Sequence, residues 1–198
     1  MIKGIIFDWG GVFTHQGSFE AVIDDFVKRF EADAAETLAQ MTAFWQAPRS
    51  GQKPSRYFWD GLSRHLRADP KAVREHLDSL FQFNPETLTL AHSLRGRYKL
   101  GLLSNHIEDW LEEKIAQYEL RALFDAIVGS YAVKLRKPDE AIYRHTLDEL
   151  ALTPEESVFI DDKPANVEAA NALGMHGIRF ESITQLKGKL TKLGVQAD

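Results

Sequence analysis

The chain has 198 residues, enough to bury a substantial core as one domain or as one domain carrying a smaller insertion. A hydrophobic fraction of 44% and a charged fraction of 27% are those of an ordinary globular protein, not of a disordered or membrane chain. The absence of cysteine excludes disulfides, thiolate metal sites and cysteine nucleophiles, and the net charge of -5 without any Lys/Arg block argues against nucleic-acid binding.

No apolar run approaches the roughly 18–20 residues that a membrane-spanning helix needs, so no membrane partner is expected. The N-terminal segment meets Asp8 too early for a secretory signal, which agrees with a cytoplasmic location. Lys3–Phe7 reads as a buried strand that runs into a tight turn at Gly10-Gly11. From about Ser18 to Phe83 the periodicity is helical. Phe19, Val22, Phe26 and Phe30 repeat at three-to-four-residue spacing, and Leu38, Met41 and Trp45 follow a capping box of Asp33 and Glu36. Tyr57, Phe58, Trp59 and Leu62 mark a third helix, and Asp69-Pro70 opens a fourth with Val73, Leu77 and Phe81 on one face.

After Asn84-Pro85 the pattern changes to helices alternating with short apolar strands. Helices are expected over about 85–95, 108–118, 138–150 and 165–173, and strands at Lys99–Leu103, Ala126–Val128, Ser157–Ile160 and Gly177–Phe180. A Thr153/Glu156 capping box is expected before the strand at Ser157, and a packed helix over Ser182–Leu193 closes the chain. This alternation predicts an α/β fold, a doubly wound parallel sheet of Rossmann-like type. The first strand must pair with the later ones, so residues 1–15 and 84–198 form the core and residues 16–83 an inserted helical cap.

Ligands of such sheets bind beyond the carboxyl ends of the strands. Those ends carry Asp8, Ser104-Asn105, the loop Arg136-Lys137-Pro138 and Asp161-Asp162. Taken singly, each has a bland reading as a turn, a helix cap or a surface loop. Taken together they place two acidic ends, a hydroxyl/amide end and a basic loop around one volume. Neighbouring carboxylates repel unless a cation lies between them, and oxygen ligands without His or Cys favour Mg2+. Asp8 is the expected nucleophile, Ser104 and Asn105 the expected donors to phosphoryl oxygens, and Lys137 the positive charge where negative charge accumulates.

The segments IIFDWGG, LLSN, RKP and VFIDD, in this order around a helical insertion, resemble the four motifs of the haloacid dehalogenase (HAD) superfamily. The resemblance covers nearly the whole chain. It implies Asp8 as nucleophile, Ser104 and Lys137 as its catalytic partners, and a Mg2+ held by Asp8, the Gly10 carbonyl and Asp162 with Asp161 in support. It also implies a C1-type cap and hydrolysis of a small phosphorylated metabolite, including sugar phosphates.

One position departs from that pattern. Most phosphatases of the family carry a second Asp two residues after the nucleophile, as acid and base; here Gly10 stands there. Three readings follow: a phosphatase that manages without this acid, on a good leaving group or with a proton from water or a cap residue; a 2-haloacid dehalogenase that needs no such acid; or a weakened phosphate-binding or regulatory protein. Among smaller signals, the cap aromatics Phe44, Trp45, Tyr57, Phe58 and Trp59 are expected in a core. Arg49, after Pro48, is expected in a loop, where it could meet a substrate anion but is read as a solvated surface residue. His15 and His106 lie near the first two motifs without ligand spacing, and their place there leaves a proton-shuttling role open. The chain is expected to be a monomer or homodimer.

Overall fold

Five strands, β1 (Gly4–Phe7), β2 (Lys99–Ser104), β3 (Ala126–Gly129), β4 (Ser157–Asp161) and β5 (His176–Arg179), form one parallel sheet in the order β3-β2-β1-β4-β5. The structure is a computed structural model and describes residues 1–196. Strand β1 is buried along its whole length because it lies in the middle of a sheet covered on both faces. Its side chains alternate: Ile5 and Phe7 join one core with Leu100, Leu102, Val158 and Ile160, whereas Ile6 joins another with Leu103, Val128 and Phe159.

The first face is covered by α5 (Pro85–Leu94), α6 (Glu108–Gln117), α7 (Leu120–Leu123) and α11 (Ile183–Lys192). The second face is covered by α9 (Glu140–Leu150) and α10 (Pro164–Ala172). A short helix, α8 (Ser130–Val133), follows β3 directly. Register sets what meets at the strand ends. Phe7 lies beside both Leu102 and Ile160, so Asp8 and Asp161 emerge side by side, with Ser104 on the other flank.

Four helices leave and re-enter between β1 and α5: α1 (Ile23–Lys28), α2 (Ala34–Arg49), α3 (Arg56–Leu66) and α4 (Pro70–Leu80). They bury Phe26, Met41, Phe58, Leu62, Val73 and Leu77 against one another. Where the chain leaves and returns, Thr14 bridges antiparallel to Phe83 and the His15 N–H donates to the Gln82 carbonyl. The helix starts follow side-chain caps, with Asp33, Asp69 and Asn84 accepting from Glu36, Ala72 and Glu86 N–H. The bundle rests on α6. Trp110 Nε1 and Lys114 Nζ both donate to Asp78, at 2.6 and 2.7 Å, and Arg74 bridges Asp109 and Glu113. No helix among the described residues is long and apolar enough to cross a membrane.

Three local expectations are corrected. The periodicity from Phe19 to Phe30 yields only the six-residue α1, ended by Glu31 in left-handed backbone at φ 51°. Pro48 and Arg49 do not lie in a loop but complete α2, where the missing proline N–H removes only one late hydrogen bond. In place of the Thr153/Glu156 box there is a 3-10 turn at Pro154–Glu156: Thr153 makes no side-chain cap and Glu156 pairs with Lys3 at 2.5 Å.

Candidate active site

Asp8 follows β1 directly and is 5% exposed. Its Oδ1 accepts from the Trp9 N–H at 2.7 Å and lies 2.7 Å from Lys137 Nζ, while Oδ2 makes no hydrogen bond among the described residues. Lys137 Nζ also donates to Asp161 Oδ2 at 2.7 Å and to the Leu103 carbonyl at 2.9 Å, so all three of its protons are used. Burial opposes the Lys137 charge, but Asp161 and Asp8 outweigh it and hold the ammonium above its usual range. For Asp8 the balance is reversed. Burial, and next the negative charge of Asp161, raise it to about 7 against the pull of Lys137 and Lys163.

The adjacent acids Asp161 and Asp162 have different surroundings. Asp161 is fully buried and saturated, receiving the Lys163 N–H, Lys137 Nζ and both approaches of Asn166 Nδ2. Asp162 is half-buried, and its Oδ1 is a buried oxygen with no partner among the described residues. Burial raises Asp162 to about 6. Oxygens of Asp8, Asp161 and Asp162 lie within 4.8 Å of one another. An orphaned carboxylate oxygen in an all-oxygen cluster, beside a second carboxylate with a free oxygen, fits a hard divalent cation.

Asp8, Gly10, Ser104, Asn105 and Lys137 line a single cavity of about 230 Å³ between the sheet and the four-helix insertion. Asp161 lies beneath it, and Asp162 faces a neighbouring depression with Gly11 and Gly17. Ser104 is buried, and its hydroxyl has no hydrogen bond among the described residues. Asn105 differs from expectation in what its amide does. Its Oδ1 accepts from the Lys137 N–H at 2.9 Å and its Nδ2 donates to the Lys137 carbonyl at 2.8 Å, so the side chain holds the lysine loop in place.

The insertion supplies the opposite wall, with Phe19, Trp45, Gln46, Arg49 and Phe81. Trp45 is therefore both packed and cavity-lining. Arg49 is half-buried there, which corrects its reading as a solvated surface residue. His106 also lines the cavity. Burial lowers it to about 4, and its Nδ1, 3.1 Å from the Ile107 carbonyl, must be the donor. His106 is thus a neutral acceptor at Nε2 and cannot serve as an acid there; His15 is exposed and does not line this cavity.

Sequence reasoning missed Asn166 and Gly17. Asn166 sits in the first turn of α10 and orients Asp161, a role visible only once strand end and helix start are juxtaposed. A Cβ on Gly17 would lie 2.1 Å from Asp162 Oδ2. The available signal was an isolated glycine shortly after Gly10-Gly11.

Comparison with known proteins agrees with this architecture. A family model described as haloacid dehalogenase-like hydrolase matches residues 2–174. A predicted HAD-like family hydrolase from Porphyromonas gingivalis superposes with a TM-score of 0.81 at 29% identity, over 99% of each chain. A HAD family enzyme from Bacteroides thetaiotaomicron, in complex with magnesium and inorganic phosphate, gives 0.79 at 23% identity over 94% of this chain and 99% of that one. The phosphoglycolate phosphatase of Cereibacter sphaeroides is 25% identical over 196 residues, 93% of this chain and 86% of its own. Three further curated relatives are matched over only 37%, 34% and 30% of their own length. The matched span takes in every strand end that carries the acids, the hydroxyl and the lysine: the chain belongs to the haloacid dehalogenase-like hydrolases.

Proposed function

We propose that this hydrolase is a Mg2+-dependent phosphatase acting on a small phosphorylated metabolite. The observation that carries the reading is the free Asp8 Oδ2 at the floor of the cavity, beside buried Lys137 and the unbonded hydroxyl of Ser104. Phosphatase relatives, and a structural neighbour crystallised with magnesium and phosphate, support it.

In this reading Asp8 Oδ2 attacks phosphorus, the ester P–O bond breaks, and the leaving oxygen takes a proton from water. Water then attacks the aspartyl-phosphate, releasing inorganic phosphate and restoring Asp8. Ser104 donates to a phosphoryl oxygen and Lys137 stabilises the accumulating negative charge. Asp8, Asp162 and the Gly10 carbonyl are the residues to hold Mg2+, which supplies charge neutralisation between the carboxylate and the phosphoryl group. That carbonyl accepts no hydrogen bond among the described residues. Asp161 orients Lys137 and completes the acid cluster. Residues 16–83 act as the cap that carries the substrate-facing wall.

The test is a phosphometabolite screen, sugar phosphates included, with and without Mg2+, using Asp8→Asn as control. Turnover that needs both Mg2+ and Asp8 is expected. Folded protein that turns over nothing at saturating Mg2+, or an Asp8→Asn protein as active as its parent, would sink the proposal.

A further inference from the structure

We propose that Ser130 is a positioning residue: its hydroxyl ties the end of α2, which carries the insertion's wall of the cavity, to the loop that follows Ser104, and so sets the distance between the leaving-group wall and the phosphoryl end. This role rests on the phosphatase reading and adds to it the residue that holds the two ends of the site in register.

Its placement follows from the sheet. Ser104 pairs with Gly129 in the parallel β2–β3 ladder, so Ser130 stands beside the loop of Asn105 and His106. Gly129 carries no side chain because the Tyr131 ring folds back over it, and a Cβ there would collide with that ring. Tyr131 in turn donates its hydroxyl to Glu112 of α6 at 2.6 Å. The start of α8 is thereby fixed at the edge of the sheet, with Ser130 fully buried.

A serine hydroxyl has one proton to give and lone pairs to receive. That of Ser130 donates to the Arg49 carbonyl at 2.5 Å and accepts the His106 N–H at 3.2 Å. Both partners depend on it. Arg49 is the last residue of α2, and the final carbonyls of a helix have no donor within the helix. Neither the Arg49 carbonyl nor the His106 N–H has another partner among the described residues.

Two further contacts cross the same seam. Gly51, in left-handed backbone at φ 66°, lies so close to the Tyr131 carbonyl that a Cβ would collide with it. The His106 ring stands edge-to-face between Trp45 of α2 and Trp110 of α6, with centroids 5.2 and 5.1 Å away. On one side of the seam α2 brings Trp45 and Gln46 to the cavity; on the other the loop brings Ser104 and Asn105. Ser130 does not line the cavity, so it acts through the two segments it joins. Without its hydroxyl a buried donor and a buried acceptor lose their partner, and the seam must shift or admit water. A misplacement of about 1 Å at a distance from the chemistry costs about a hundredfold, and a partial shift less.

The test compares two substrates that need no acid for departure: p-nitrophenyl phosphate, whose ring extends from the phosphoryl group toward α2, and the much shorter acetyl phosphate. At saturating Mg2+, Ser130→Ala is expected to lower the ratio of their kcat/KM values about tenfold, mainly through the KM of p-nitrophenyl phosphate. Gly51→Ala strains the same seam from the insertion's side without touching the buried hydroxyl, and it is expected to lower the ratio in the same direction. It carries the test if Ser130→Ala does not fold. A general loosening of the fold would reduce kcat for both substrates alike. That pattern, or an unchanged ratio in the folded variants, would overturn the proposal while leaving the phosphatase reading in place. An unaltered protein that turns over neither substrate would remove both together.

Discussion

Replacing Gly17 by alanine separates metal holding from folding. The Gly17 backbone lies outside the left-handed region, so alanine meets no conformational obstacle there. Its Cβ, however, would lie 2.1 Å from Asp162 Oδ2 and 3.0 Å from Asp162 Cγ. Ordinary contact needs about 3.5 Å, so the carboxylate must retreat by roughly an ångström or more. Asp162 ends a short flexible side chain beside a depression and can retreat, but the new Cβ would also lie 3.2 Å from the Gly11 Cα, so the turn must give by a few tenths of an ångström, at a cost to the fold on the order of 1 kcal/mol. A hard cation tolerates no such displacement of a direct ligand, and disturbed ligand positioning typically costs about 10- to 100-fold in metal affinity. Gly17→Ala is therefore expected to keep the melting temperature within a few degrees, to raise the Mg2+ concentration for half-maximal activity by about that factor, and to recover turnover in excess Mg2+. Thermal denaturation and Mg2+ titrations of activity measure the two effects. An unchanged Mg2+ requirement in folded Gly17→Ala would refute the assignment of Asp162 as a ligand.

The remaining predictions concern protons. Without metal, Asp8 sits at about 7 and Asp162 at about 6, so below pH 7 a cation must displace a proton from Asp8 and below pH 6 from both. The Mg2+ dissociation constant is expected to rise about tenfold per unit as pH falls from 7 to 6, and more steeply below, in calorimetric titrations; a constant that stays flat from pH 5 to 8 would contradict it. Because Gly10 provides no acid, turnover should fall steeply as the leaving group becomes more basic, with aryl phosphates far ahead of alkyl phosphates. A Cβ at Gly10 meets nothing closer than the Gly17 carbonyl at 3.6 Å, so Gly10→Asp has room, and it is expected to raise alkyl phosphate turnover by about tenfold or more while changing aryl phosphate turnover little. Equal effects on both classes would show that proton delivery is not what position 10 lacks.

How much the sequence disclosed depends on the range of the interaction involved. The parallel sheet was legible because apolar runs such as Gly4–Phe7 and Val158–Ile160 have no other use than burial on two faces, and the helix starts because Asp33, Asp69 and Asn84 cap locally. The strand ends carrying Asp8, Ser104 and Asp161-Asp162, and the loop with Lys137 that follows β3 and α8, were legible from chain order. What was not legible is fixed by contacts over long sequence separation. The turn of Asn105 toward Lys137 spans 32 residues, and the hold of Ser130 on Arg49 spans 81. The latter also explains the misreading of Arg49. Pro48-Arg49 looks locally like a loop opening to solvent, but the aromatic insertion folds the end of α2 over the sheet, and the arginine is carried into the cavity with it.

The pair Asp161-Asp162 shows why two like residues at one strand end acquire unlike chemistry. Successive side chains of a strand point to opposite faces, so one acid must enter the protein and the other must leave it. Asp161, the last residue of β4, points into the layer between sheet and α10, where Asn166 and Lys163 meet it with N–H groups and Lys137 with its charge. A carboxylate so saturated has no lone pair left for a ligand, but it fixes Lys137 and, after burial, its charge is the second cause that lifts Asp8 toward neutrality. Asp162 points the other way, between two glycines, with an oxygen that nothing among the described residues satisfies. A protein that needed only to cap a helix here would have no reason to leave that oxygen bare. One acid builds the charge environment of Asp8 and the other offers an unpaired oxygen, and the positive charge that a proposed cation would bring is what both Asp8 and Asp162 lack.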